Sequence, residues 1–409
     1  MKHGALLLAA ALCACAGPAR HEAPVTGTMS GLDVLEMEQF KSLRGKRVGV
    51  ITNRTGVNRR GRSIVDLLAT APGVTLGAIF TPEHGFAASS ESERIASGLT
   101  RVAGKDIPLY SLYSGGIAGM RPKPAQLQGL DVLIFDIQDI GARFYTYLAT
   151  MAMALEEAKT AGIDFVVLDR PNPIRGDVVE GPILEDPNLR FQTPTAYFQI
   201  PVRHGMTPGE IALWHNRLVG HPRLTVVKLR GWTRSMWHDA TGLPWIAPSP
   251  NMPDLDAASL YPGIGIFEAS NIAVGRGTPI PFRWIGAPWM KSAEIVERLR
   301  ETVQGVEFSP QDYTPSKSVF ENQLCHGIKI RVTDRDTMRP LVLFRHLALA
   351  LRELHPDEFK WRWDEAKRMV GVSDFRMLWE TGASDESFLA LFDQGPRDFE
   401  NARRSFLLY

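Results

Sequence analysis

Residues 130–173 read LDVLIFDIQDIGARFYTYLATMAMALEEAKTAGIDFVVLDRPNP. LDVLIFDIQDIGAR (130–143) is a continuous apolar run ending in Asp136, the pattern of a strand buried on both faces. YTYLATMAMALEEAKTAG (145–162) has helical spacing, and Gly162 is placed to stop it. DFVVLDRPNP (164–173) is a second buried strand, ending in Asp169 and a Pro-rich loop. Strand, helix, strand within 44 residues is a βαβ unit, and it predicts a parallel sheet with helices on both faces.

The same alternation extends outward. RVGVITN (47–53) and VTLGAIFTPEHG (74–85) read as strands, with the helical SIVDLLAT (63–70) between them. HGMTPGEIALWHNRLVG (204–220) begins a helix at Thr207, with Pro208 in the first turn and Glu210 at capping-box spacing. LTVVKLRGW (224–232) is a further strand, and APSPNMPDLDAASLYPG (247–263) is loop-like and rich in Pro. A domain boundary is expected near residue 245. The fold class is α/β: a Rossmann-like, mostly parallel sheet over 31–245, then a smaller α+β part over 246–409. That second part has a helix at 292–304, a strand at 327–334 and C-terminal helices. Ligands of such sheets bind beyond the strands' carboxyl ends. Thr52-Asn53, Glu83-His84, Asp136 to Arg143 and Asp169 to Asn172 are therefore expected on one rim, with the cleft between the two parts.

Composition fits a globular chain. Of 409 residues 44% are hydrophobic, too many for a disordered protein. Lys and Arg number 46 against 45 Asp and Glu, without the basic excess of a nucleic-acid binder. Three cysteines exclude a disulfide scaffold and a Cys-rich zinc module.

The start reads as targeting. Met1-Lys2-His3 precedes an uncharged Ala/Leu run too short to span a bilayer. Leu12-Cys13-Ala14-Cys15 resembles a bacterial lipobox, with Cys15 the expected lipidation site. Cleavage before Cys13 and an ordinary cleaved signal are the alternatives. Residues 1–14 are then a signal and 15–30 a flexible tether. The expected location is the bacterial envelope, lipid-anchored. Ala16 rather than Asp resembles outer-membrane sorting with the body facing the periplasm.

Several chemistries find no motif. There is no GxGxxG after the first strand, no Walker A loop, no HExxH and no GxSxG. The ten histidines show no metal-ligand spacing. VGRGTP (274–279) is a tight turn or an anion cradle.

Carboxylates are more informative. Glu83 sits at a strand end between Pro82 and His84, and burial beside Phe86 would suit a general acid. On residue chemistry alone, a loop Glu in a local ion pair is the plainer reading. Asp136 and Asp139 are either rim groups or caps of the following helix. Glu180 and Glu268 are further candidates, Glu268 directly preceding ASNIAVGRGTPIPFRW. Paired carboxylates suit glycosidic cleavage. Tryptophans near a cleft suit sugar stacking, but most of the nine belong to the core.

TPEHGF, DIQDIGARFYTY, DRPNPIRG, VVEGP, PVRHGMTPGE, SPNMP, YPG and FEASNIAVGRGTPIPFRWIGAPW follow one another in this order. Together they resemble the NamZ-type exo-β-N-acetylmuramidases, glycoside hydrolase family 171, over roughly residues 45–409. The resemblance implies an enzyme that removes N-acetylmuramic acid (MurNAc) from the non-reducing end of peptidoglycan fragments. It implies a Rossmann-like domain plus a smaller one, no metal and no organic cofactor. It places the key catalytic Glu at Glu83 and so reverses the plainer reading. His84 is expected to tune it, with Asp139 or Glu268 as second carboxylate, or the substrate's own 2-acetamido group in that role. Arg143, Arg203 and Arg276 are candidates to hold the muramyl carboxylate. Tyr145, His204 and Asn271, within the same motifs, are the remaining substrate-binding candidates. Two departures bear on specificity. Ala269-Ser270 stands where relatives read Gly-Thr, and Ala87-Ala88 follows PEHGF where they read Arg-Gly. The expected partner is a glycan or muropeptide, with the membrane met only through the lipid, no nucleic acid, and the oligomeric state left open. The rival readings are a non-catalytic muropeptide-binding lipoprotein and a cell-wall esterase, for which no Ser motif is present.

Overall fold

The computed structural model describes residues 27–89, 96–393 and 396–409. The signal, Cys13 and Cys15 lie outside the described residues. Its twelve strands, among those residues, are β1 (Arg47–Thr52), β2 (Thr75–Thr81), β3 (Gly98–Val102), β4 (Lys105–Ser111), β5 (Val132–Asp136), β6 (Asp164–Leu168), β7 (Glu180–Ile183), β8 (Pro201–Arg203), β9 (Leu224–Val227), β10 (Trp284–Ala287), β11 (Val306–Pro310) and β12 (His326–Val332).

Seven form one sheet in the order β3-β4-β2-β1-β5-β6-β9. Every neighbouring pair is parallel except β3 with β4. The chain winds from β1 toward β2 and β4, then from β5 the other way toward β6 and β9. The strand order therefore reverses between β1 and β5, where such sheets open their ligand crevice.

Side-chain alternation sorts the core into two layers. From β1 and β5, Val48, Val50, Val132 and Ile134 face the helices Gly31–Met37 and Ile64–Thr70. Ile51, Leu133 and Phe135 face the opposite layer, with the helices Tyr147–Ala161 and Pro208–Val219. The helix ends follow the sequence signals. Gly162 caps the first of these last two at φ 68°. Thr207 accepts from the Glu210 amide while the Glu210 carboxylate accepts from that of Thr207.

The second part carries the antiparallel sheet β10-β12-β11 and the helices Ser292–Leu299 and Pro340–Leu354. Its core is aromatic: Trp361 packs on Phe267, Phe344, Phe375 and Trp379.

Three readings need correction. The stretch 247–263 is not all loop, because Leu255–Ile264 is a helix. Asp254 caps it by accepting from the Ala257 amide, and Pro262 lies in its last turn, followed by the 3₁₀ turn Gly265–Ala269. The Pro-rich composition hid it, although DLDAASL is a capped run of helix formers. The tether does not extend to residue 30. Thr28 is buried, Met29 bridges to Arg230, and Ser30 forms a capping box with Asp33. Finally, the β3–β4 hairpin and the β7–β8 pair gave no sequence signal: β3 is largely exposed, and β7 and β8 are only four and three residues long.

Candidate active site

A cavity of about 750 Å³ opens at the carboxyl ends of β2, β4 and β5 and is walled on the other side by loops and the helices Leu255–Ile264 and Trp363–Val370 of the C-terminal part. Its N-terminal wall includes Glu83, His84, Tyr113 and Phe144 to Tyr147. Its C-terminal wall includes Tyr261, Glu268, Arg276, Phe282, Lys317 and Arg368.

Glu83 follows β2 in a tight turn. The Gly85 amide donates to the Pro82 carbonyl at 3.0 Å, and His84 and Gly85 take φ of 69° and 73°. Glycine accepts that region freely; histidine does so at a cost, and such strain concentrates at functional sites. The Thr146 hydroxyl donates to Glu83 Oε2 at 2.5 Å. Thr146 is the N-cap of the helix Tyr147–Ala161, but its side chain caps nothing. Its hydroxyl is therefore free to hold the carboxylate, and the helix's N-terminal end faces the cavity. Phe86 is not the partner expected: it is 38% exposed, and the aromatic surface near Glu83 is tyrosine. Tyr145 meets Tyr147 edge-on at 4.9 Å and Tyr261 at 5.9 Å, and Tyr261 meets Phe282 at 4.6 Å. This floor joins the two parts. Burial raises the phenols of Tyr145, Tyr147 and Tyr261, which therefore act as neutral hydrogen-bonding groups. Among the described residues, no tryptophan lines the cavity.

Glu268 and Arg276 both line the cavity and pair with each other at 2.5 Å. Arg276 also lies over the Phe282 ring. Ala269 lines the wall beside them, while the Ser270 hydroxyl turns inward to the Phe267 carbonyl at 2.7 Å.

Five other candidates do not line the cavity. Arg143 is fully buried and donates to the carbonyls of Arg368, Met369 and Val370. Arg203 pairs with Glu180 at 2.6 Å and donates to the Ile174 carbonyl. Asn271 exchanges hydrogen bonds with the backbone of Glu358 and Lys360. His204 is buried, held neutral with its pKa near 3, and accepts from the Met206 amide. Asp139 accepts from the Gly141 amide at 2.7 Å and lies 3.8 Å from His204. The other rim aspartates are also committed: Asp136 to Arg170 at 2.6 Å, and Asp169 to Thr207, Gly209 and Tyr409.

Asp139 has a thermodynamic consequence. Burial pushes its carboxyl up to about 7. The folded chain then holds that proton more tightly than the unfolded one, whose Asp titrates near 4. The resulting stabilisation is fully present below about pH 4 and is lost as pH rises through about 7. Asp169, also pushed up to about 7 by burial, has the same sign. In Asp139→Asn the Asp139 contribution is absent. Its stability relative to the parent should therefore rise with pH between about 4 and 7, by up to roughly 1.4 kcal/mol per pH unit. Urea unfolding at several pH values checks this; a constant difference would refute it.

Sequence reading missed several cavity residues. Thr146 and Tyr147 sit inside a recognised motif, beside residues that were selected. Thr193, Thr195, Lys317 and Arg368 lie in segments with no motif, and only the fold brings them to the cavity. Among the described residues, no group of three or more His, Cys, Asp or Glu side chains is arranged to hold a metal ion.

Comparison with known proteins agrees with the architecture. Residues 48–256 match the family model of the N-terminal domain of exo-β-N-acetylmuramidase NamZ, and 259–409 match that of its C-terminal domain. The chain is 40% identical over 384 residues to the peptidoglycan β-N-acetylmuramidase NamZ of Bacillus subtilis (strain 168), covering 93% of this chain and 91% of that protein. Two crystal structures of DUF1343 family proteins from Bacteroides fragilis NCTC 9343 share the fold. One has a TM-score of 0.85 at 33% identity and covers 94% of this chain and all of the other. The second has a TM-score of 0.73 at 29% identity, covering 94% and 99%. With both domain models matched in order along nearly the whole folded body, this chain belongs to the NamZ exo-β-N-acetylmuramidase family.

Proposed function

We propose that this protein is a peptidoglycan glycoside hydrolase that releases MurNAc from the non-reducing end of glycan fragments, with Glu83 as general acid and base. The observation that carries the reading is the Glu83 turn. A carboxylate stands on a left-handed His-Gly turn at the cavity mouth of the sheet, held by Thr146, in a chain of this family. The Thr146 hydrogen bond fixes Oε2, leaving Oε1 to meet the glycosidic oxygen. In the forward step Oε1–H gives its proton to the leaving sugar as the C1–O bond breaks. The carboxylate then takes a proton from the incoming water. Glu268 is the second carboxylate we assign, since Asp139 is buried outside the cavity. Its ion pair with Arg276 holds it on the C-terminal wall, where its charge favours an oxocarbenium-like centre. We also place the enzyme at the bacterial envelope, on the strength of the lipobox-like Cys15. Among the described residues, no helix is long and apolar enough to cross a membrane.

The test uses the full chain with MurNAc-GlcNAc and with GlcNAc-MurNAc, products being followed by mass spectrometry. Free MurNAc is expected from the first only. Saturable muropeptide binding with no sugar released from either would favour a binding lipoprotein instead.

A further inference from the structure

The cavity holds a cation that the sequence did not single out. Arg368 is half buried in the last turn of the helix Trp363–Val370 and lines the cavity. Its side chain makes no ion pair or hydrogen bond among the described residues. Glu365, one turn earlier on the helix and also lining the cavity, is paired with Arg362 at 2.6 Å. Arg276, the expected anion receptor, is engaged by Glu268 at 2.5 Å.

The backbone beneath Arg368 is tied to the N-terminal part. The three terminal carbonyls of its helix, at 368 to 370, all accept from Arg143, which reaches across from the N-terminal part. The next residue, Gly371, accepts from the Glu185 amide at 2.9 Å. A buried guanidinium thus caps the helix, and the cavity guanidinium projects from the capped turn. The turn Pro194–Ala196 packs against this helix, and Thr193 and Thr195, whose hydroxyls lie 2.9 Å apart, line the cavity.

A half-buried guanidinium with no ion pair among the described residues, lining one cavity with two hydroxyls from the turn packed on its helix, suits a carboxylate. We propose that Arg368, with the Thr193–Thr195 hydroxyls, receives the carboxylate of the muramyl ether substituent and so selects muramyl over uncharged sugars. The proposal rests on the muramidase reading above. Arg143 acts in it as a positioning residue, not as the receptor.

The test compares an aryl β-muramide with the same compound carrying a carboxamide in place of the carboxylate. Full-length parent, Arg368→Met and Arg368→Lys are assayed, with melting temperatures confirming that each is folded. The parent should prefer the carboxylate form by roughly 30- to 300-fold in kcat/KM, the range for one charged hydrogen-bond partner in a half-buried site. Arg368→Met should reduce that preference to about threefold or less with little change on the carboxamide, and Arg368→Lys should restore part of it. Retention of the full preference in Arg368→Met overturns the assignment, as does equal loss on both compounds. If the parent turns over neither, the muramidase reading fails. Calorimetric titration of parent and Arg368→Met with MurNAc and its carboxamide then decides the receptor separately. Tighter parent binding of MurNAc that Arg368→Met abolishes upholds it; equal binding of both compounds by the parent refutes it.

Discussion

Glu83→Gln should lower the rate of MurNAc release from the disaccharide by about 10²- to 10⁴-fold, the usual contribution of a positioned proton donor. The variant should fold normally. Gln keeps an oxygen that accepts from Thr146, and Glu83 is only half buried, so no charge is left stranded. The loss should therefore appear in kcat with the melting temperature unchanged. Its size depends on the leaving group. A sugar alcohol leaves only when protonated, whereas a dinitrophenolate leaves without help. On a dinitrophenyl muramide the same substitution should cost far less in the bond-breaking step. Equal losses on both substrates would make Glu83 a nucleophile or a binding group, and near-native turnover of the disaccharide would remove it from the chemistry.

Arg143→Met is the second large effect, and it acts on the joint between the two parts. The side chain is fully buried, and burial alone lowers its guanidinium to about 9. Three carbonyls at one helix end depend on it. Removing it takes the donor from two buried carbonyls and one part-buried one, at about 1–3 kcal/mol for each buried group left unsatisfied. Allowing for partial relaxation, about 3–5 kcal/mol of stability should be lost, or a fall of roughly 10 °C in melting temperature. Arg143→Lys should recover little, because one ammonium cannot reproduce the planar fork that reaches three acceptors. Activity should fall chiefly through a raised KM on the carboxylate-bearing muramide, since Arg368 stands on the turn that Arg143 holds. A melting point within about 2 °C of the parent would show that the helix end needs no such support. An unchanged KM ratio between muramide and carboxamide would separate Arg143 from carboxylate recognition.

These two arginines show how far local reading reaches. Arg143 lies inside DIGARFYTY, and its type and position suggested a ligand for an anion. The structure gives it a different acceptor, the carbonyl end of a helix some 225 residues later in the chain. Arg368 has no surrounding motif, yet it stands in the cavity and makes no ion pair among the described residues. Whether a cation meets a carboxylate, a carbonyl or open space depends on which distant segment packs against it, and spacing along the chain does not contain that information. Asp139 and His204 follow the same rule. Both are titratable residues in recognised motifs, and both are buried beside each other outside the cavity.

The sequence by itself determined what depends on neighbours along the chain. Periodicity marked the strands β1, β2, β5, β6 and β9 and the helices between them. Gly162, Thr207 and Glu210 marked helix ends through caps closed within a few residues. The strand ends then placed Glu83 on the binding rim, because a parallel sheet puts all its carboxyl ends on one side. The tertiary structure alone decided which rim groups face solvent and which are spent on one another. Asp136 is paired with Arg170, and Asp169 accepts from Thr207, Gly209 and Tyr409, partners reached only when β5, β6 and the helix Pro208–Val219 come together. Glu83 faces the cavity, and its hydrogen-bond partner among the described residues is the Thr146 hydroxyl rather than a cation. Local hydrogen bonds and apolar periodicity are short-range and legible in the chain; the pairing of buried charges is long-range, and it is fixed only when the layers pack.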